Sequence, residues 1–247
     1  MDSGPSSDRR AIEAALKETP DLALLGLMPN STNHTFLAYL PRPDPQTRLL
    51  GVYKPARGER PLWDFPDFSL YRREVAAYVV AQRLGWPLVP PTVVRTDAPY
   101  GVGSLQLYVA AEIAEPPWRQ GAGPEAWIEI AVFDFLVNNA DRKLGHCLVD
   151  GFGRLWAIDH GLTFHPEFKL RTVIWEFAGR RLPSRLRAGV EGLLAQLRDP
   201  AARPELEALL SAEELAALAA RVEAALDSGF RLPHPPAARP AIPWPPL

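Results

Sequence analysis

The sequence predicts an α+β chain, with an antiparallel sheet and one helix in the first half and mainly helices in the second. Three observations predict it. Short apolar runs punctuated by Gly, Pro and Asn recur from residue 22 onward, the pattern of strands joined by turns. Residues 114–123 form a loop rich in Pro, Gly and charge, where the pattern changes. Beyond it, 125–139 is apolar nearly all round, as in a buried helix, with Pro124 suited to its first turn. The chain has 247 residues, 47% hydrophobic and 23% charged, which suits one large domain or two small lobes.

Taken in order, residues 1–7 read as disordered, and 8–18 as a short helix presenting Ile12 and Leu16 until Pro20 stops it. Residues 22–40 read as strand, turn, strand, with the polar tip 29–34. Small polar residues at such a tip expose backbone N–H groups to an anion, although a plain hairpin turn has the same composition. Residues 49–55 form a third strand whose alternation puts Leu50, Val52 and Lys54 on one face. An ammonium there needs an anionic partner or a route to solvent, unless Lys54 simply snorkels at the strand end. The next helix runs from an N-cap at Ser69 to a stop at Gly85, and the 4,3,4,3 spacing of Leu70, Glu74, Ala77, Ala81 and Leu84 turns Glu74 inward. A Lys54–Glu74 ion pair is the expectation; local pairing of Glu74 with Arg73 or Tyr78 is the alternative. Residues 86–94 and 104–110 read as two further strands around the turn 98–101.

The stretch 138–161 carries the densest chemistry. A polar loop at 140–145 leads into two short apolar runs, 147–149 and 155–158, around Asp150-Gly151-Phe152-Gly153, a hairpin signal. A hairpin closed there brings His146 close to Asp159, with Asp141 bordering the same pocket. Two carboxylates and an imidazole so placed suit a metal ion, with one Asp left to accept a proton. Residues 162–182 look irregular, helices follow at 184–197 and after Ser211, where Ser-Ala-Glu-Glu is a capping box, and 233–247, with seven prolines, should be extended without a core of its own.

A formal net charge of -2 and a pI near 6.2 give no polyanion-binding signature, so nucleic acid is excluded as the main partner. The single cysteine, Cys147, excludes an internal disulfide, and the N-terminus lacks a hydrophobic signal core, so a reducing cytoplasm is expected. No apolar run approaches the roughly 18 residues of a membrane span. Only four of the 27 basic residues are lysines, which makes one inside an apolar strand more noticeable.

The order of these parts is that of kinases: a phosphate-covering turn, a strand Lys, a helix Glu, an Asp loop, a hairpin and a second Asp before Gly. Asp141-Arg142 and Ile158-Asp159-His160-Gly161 resemble the Asp-Arg and Asp-x-Gly motifs of phosphatidylinositol 3- and 4-kinases and related atypical kinases. The run 138–161 with Lys169-Leu170-Arg171-Thr172-Val173 is most similar to an actinobacterial family distantly related to those lipid kinases. The resemblance implies a two-lobed, protein-kinase-like α+β fold, with an extension at 1–21, an N-lobe at 22–113, a C-lobe at 114–232 and a tail at 233–247. It implies ATP with Mg²⁺ or Mn²⁺ as cofactors and an unidentified hydroxyl acceptor as partner, with the oligomeric state open. Lys54 would neutralise the α- and β-phosphates, oriented by Glu74; Ser31 and Asn33 would cover the phosphates; Tyr108 to Glu112 would form the hinge that meets adenine. Asp141 would accept the proton of the attacking hydroxyl, and Asp159 would chelate the metal. The departure is His146, where these kinases place a metal-binding Asn. Imidazole is a poorer ligand for Mg²⁺ than oxygen and suits Mn²⁺ or Zn²⁺ better. A nucleotide-binding regulator or pseudokinase is therefore the second reading, and a hydrolase or metal-binding protein using His146, His160, His165 and Asp159 the third.

Overall fold

A computed structural model describes residues 5–29, 33–41, 49–113, 124–237 and 240–246. They divide into two compact units, Met1–Tyr78 with Pro90–Val109, and Val79–Val89 with Ala110–Leu247. Of the predicted features, the tip residue Ser31 and the loop 114–123 lie outside the described residues.

The first unit is an antiparallel five-stranded sheet in the order β1 (Ala23–Leu27), β2 (Phe36–Leu40), β3 (Leu49–Pro55), β5 (Gly103–Leu107), β4 (Thr92–Arg95). The predicted strand at 86–94 is shorter, because prolines 87, 90 and 91 lack the N–H a ladder needs and only Thr92 onward pairs with β5. In β3 the alternation sends Leu49 and Tyr53 into the core and leaves Leu50, Val52 and Lys54 on a half-buried face. Helix α1 (Pro5–Glu18) begins before residue 8, so residues 5–7 are helical where the sequence reading had them disordered. Its Leu16 packs into a core with Leu22, Phe36, Leu40, Leu49, Tyr53, Val93 and Leu105. Each such side chain contributes about 1.5–3 kcal/mol by leaving water. Arg95, buried in β4, donates to the carbonyls of Leu16 at 2.9 Å and Thr19 at 2.6 Å, satisfying acceptors that the end of α1 leaves open.

Helix α2 (Leu70–Leu84) occupies the predicted span and ends at Gly85, whose φ of 71° is the left-handed conformation that glycine adopts without strain. Its start differs from expectation. Ser69 Oγ donates to the Pro66 carbonyl, and it is the Glu59 carboxylate that accepts the first helical amides, Leu70 at 3.0 Å and Tyr71 at 2.8 Å. A carboxylate suits this position because the helix N-terminus carries partial positive charge.

In the second unit, α3 (Pro124–Val137) is largely apolar, and a short sheet orders β6 (Ala111–Ile113), β7 (Cys147–Asp150) and β8 (Leu155–Ala157) antiparallel. Helices α4 (Ser184–Arg198), α5 (Pro204–Glu207) and α6 (Ala212–Leu226) follow. The capping box forms at α6: Ser211 Oγ accepts from Glu214 N–H, and the Glu214 carboxylate accepts from Ser211 N–H. Among the described residues no helix is long and apolar enough to cross a membrane.

The two caps are separable by mutation. Glu59→Ala and Ser211→Ala should each cost about 1 kcal/mol, read as a lower urea midpoint at unchanged slope. Ser69→Ala should fall well below that, since its hydroxyl caps no helical amide.

Candidate functional site

The end of α3 explains how the Asp141 loop is built. Asp134 is an acid on the buried part of a largely apolar helix and so requires a cation. Arg142, also fully buried, supplies it through a two-pronged contact, Nε to Oδ2 at 2.8 Å and Nη2 to Oδ1 at 2.9 Å. Burial alone would lower the Arg142 guanidinium, but the adjacent Asp134 carboxylate outweighs it and holds the group above its usual value. The remaining donors of Arg142 reach the carbonyls of Ile158 at 2.7 Å and His146 at 3.2 Å. Its Nη2 also lies 2.8 Å from His160 Nε2. A guanidinium only donates, so His160 Nε2 accepts and the ring proton sits on Nδ1. Asn139 completes the link: its amide donates to Asp134 at 2.9 Å and its carbonyl oxygen accepts the Asp141 N–H at 2.9 Å. One ion pair thereby fixes α3, the loop that carries Asp141 and the segment that carries Asp159.

The hairpin forms in the predicted register, Cys147 opposite Ala157 and Val149 opposite Leu155, and Ile158 N–H donates to the His146 carbonyl at 2.9 Å. Asp150 locks the turn by accepting from the amides of Phe152 and Arg154 and from Trp156 Nε1. The Trp156 hydrogen bond leads the effects that hold its carboxyl below the usual range. As expected from that turn, His146 Nε2 lies 3.2 Å from Asp159 Oδ2. The other ring nitrogen, Nδ1, is 3.0 Å from the Asp141 carbonyl, which can only accept, so Nδ1 carries a proton. In neutral His146 the Nε2 lone pair then points toward a carboxylate, an arrangement that a shared cation or an added proton reconciles.

Asp141 is paired with Lys143 at 3.3 Å. Burial, more than any other influence, raises the Asp141 carboxyl above its usual range; Lys143 opposes this and Asp159 adds to it. Asp159 sits in the left-handed region at φ 59°, as do Asn138 at 55° and Phe164 at 62°. Non-glycine residues adopt this conformation at a cost of order 1 kcal/mol, which the surrounding hydrogen bonds must hold. Asn138 shows how: its amide donates to the carbonyls of His165 and Glu167 and its oxygen accepts from Lys169 N–H.

Elsewhere in the first unit, Lys54 Nζ is hydrogen-bonded to Glu74 Oε1, with Glu74 buried and the Lys54 side chain 23% exposed. The predicted pair therefore forms, and an alternative restricted to Arg73 or Tyr78 is set aside. Asn33 uses its side-chain oxygen to accept from Arg60 N–H at 2.9 Å. Tyr108 is 38% exposed, its amide donating to Leu50, and Glu112 lies in β6 opposite Val149. Sequence reasoning missed Asp134, Asn139, Lys143 and the anchoring role of Arg142. The signal for Asp134 was present: a carboxylate inside an apolar helix with an arginine eight residues on.

The metal-ligand fit is partial. Among the described residues no group of three or more His, Cys, Asp or Glu is arranged to hold an ion. His146 Nε2 and the Asp159 carboxylate, 44% exposed, are the two donor groups brought together here, fewer than the four ligands of a closed zinc site.

Removing one member of the buried pair leaves an uncompensated charge, so Arg142→Met should cost about 3–5 kcal/mol in chemical denaturation. The double replacement of Asp134 by Leu and Arg142 by Met should recover much of that loss, because no lone charge remains.

No established protein-family model matches the sequence. Among solved structures, hydra Fam20 determined with sugar aligns with a TM-score of 0.56 at 16% identity, over 93% of this chain and 91% of that one. The Helicobacter pylori proinflammatory kinase CtkA aligns less closely, with a TM-score of 0.47 at 11% identity, over 83% of this chain and 91% of that one. At these identities likeness concerns the fold alone, and of these two structures it is the hydra protein that aligns closely enough to show it. Protein Rv2133c of Mycobacterium tuberculosis is 38% identical in an alignment covering 98% of each chain. The chain accordingly belongs to the actinobacterial family of protein Rv2133c.

Proposed function

We propose that this protein is an ATP-dependent phosphotransferase of the atypical kinase type, transferring to a hydroxyl group of an unidentified acceptor. One observation carries the reading: a single buried arginine, Arg142, is bonded to both loops that bear the two motif aspartates, with His146 between Asp141 and Asp159. The order of motifs resembling phosphatidylinositol 3- and 4-kinases and the fold shared with hydra Fam20 support it.

ATP with Mg²⁺ or Mn²⁺ would supply the activated phosphoryl group and its charge neutralisation. The chain's own residues divide the rest. Lys54, held by Glu74, would present its ammonium to phosphate oxygens, and Ser31 and Asn33 would cover them. Tyr108 to Glu112 would meet the adenine. Asp159, partly exposed, in the left-handed region and beside His146, would serve as a metal ligand. His146, its Nδ1 proton committed to the Asp141 carbonyl, offers Nε2 beside it. Asp141 takes the proton of the acceptor hydroxyl, and its raised carboxyl makes it a better base than an exposed aspartate. Lys143 holds that carboxylate in place. A nucleotide-binding regulator is the second reading, and the replacement of Asn by His146 is the observation in its favour.

The two aspartates should separate by mutation. Asp159→Ala should abolish metal-dependent thermal stabilisation by ATP, while Asp141→Asn should keep it and lose γ-phosphate release. Equal loss of ATP stabilisation in both variants would contradict the division of roles, and ATP stabilisation without release by the native chain would favour the regulator.

A pH experiment tests the state of Asp141 without any substrate. An acid whose folded pKa exceeds its unfolded value of about 3.9 contributes stability that is full below that value and lost as pH rises through the folded pKa. Asp141→Asn removes this dependence. The thermal midpoint of the variant relative to the native chain should therefore rise as pH goes from about 4 to 7.

A further inference from the structure

The proline-rich end was expected to run without a core of its own, yet its last described residues are bonded to the proposed site. Pro246 accepts the Leu144 N–H at 3.0 Å, and Ala241 accepts two donors, Thr172 N–H at 3.1 Å and the Trp175 indole at 2.9 Å. Pro243 between them is buried. Upstream, Leu232 exchanges backbone bonds with Gly179 and Arg180, both at 2.8 Å.

The receiving groups are not incidental. Leu144 opens the 3-10 turn Leu144–His146, so its amide sets the orientation of the turn that carries His146. Thr172 bridges in parallel to Arg142, and Val173 N–H donates to the Arg142 carbonyl at 3.1 Å. Prolines suit such a segment: their φ is preset, so less entropy is lost on seating, and their carbonyls accept without a competing N–H of their own.

We infer that residues 240–246 are a positioning strap for the proposed site, fixing the turn that aims His146 at Asp159 and coupling it to the segment 171–175. The strap rests on the phosphotransferase reading for its catalytic consequence but not for its structural one. Seated, it satisfies amides at Leu144 and Thr172 that would otherwise open to solvent; unseated, the turn loses its outer support while Arg142 still holds the inner side.

The test compares the full chain, a chain lacking residues 240–247, and Trp175→Phe, which deletes only the indole donor. Amide hydrogen exchange is followed at Leu144 and Thr172, with α6 amides as the measure of an intact fold, alongside γ-phosphate release from Mn²⁺-ATP. The shortened chain should exchange at Leu144 and Thr172 about tenfold faster with α6 unchanged, and Trp175→Phe should show a smaller acceleration at the same amides. The kcat should fall about tenfold with KM for ATP nearly constant, since the strap's hydrogen bonds to Leu144, Thr172 and Trp175 involve no residue assigned to the nucleotide. Should the shortened chain lose α6 protection, Trp175→Phe decides: no acceleration at Leu144 and Thr172 overturns the proposal. Unchanged exchange in a folded shortened chain also overturns it, as does faster exchange with an undiminished kcat. Tail-dependent exchange in a full chain that releases no phosphate would reject the phosphotransferase reading while supporting the structural role of the strap.

Discussion

The site depends on the buried contact between Asp134 and Arg142. Burying either charge without the other would leave it uncompensated, and desolvating both leaves little net stability relative to an apolar pair. What the contact supplies is geometry. A planar guanidinium with five donors, all oriented once two are committed to a carboxylate, offers the rest in fixed directions. Those directions lead to the carbonyls of His146 and Ile158 and to His160 Nε2, so two loops distant in sequence are registered against one another by the donors of a single side chain.

A second constraint follows from that registration. Burial does most to raise the Asp141 carboxyl, and the charge of nearby Asp159 adds to it. One has a side chain 24% exposed and is paired with Lys143; the other, 44% exposed, sits in a left-handed backbone conformation beside a histidine. Different environments give the two aspartates different chemistry, which is how a pair of identical side chains takes separate roles.

Much of this was legible in the sequence where local rules dominate. Alternation located β3 and Lys54, helical spacing turned Glu74 inward, and Asp150-Gly151 closed the hairpin that meets His146 with Asp159. These depend on neighbours within a few residues or on one turn. Illegible were the contacts made across long separations by side chains on one element to backbone on another. Glu59 caps α2 in place of Ser69, Arg95 closes the end of α1, and Pro246 reaches Leu144, and none leaves a periodic trace. Arg142 was read as half of a motif when its spatial partner, Asp134, sat one helix earlier in a run dismissed as apolar.

The most direct test of the central claim is a crystal structure with Mn²⁺ and a non-hydrolysable ATP analogue, phased to show the anomalous signal of manganese. The account predicts a manganese peak coordinated by an Asp159 carboxylate oxygen and His146 Nε2, with the His146 Nδ1 bond to the Asp141 carbonyl retained and the Arg142 contacts to Asp134 intact. A nucleotide-bound structure with no manganese at Asp159, or with the His146 ring turned away from every metal, would contradict it.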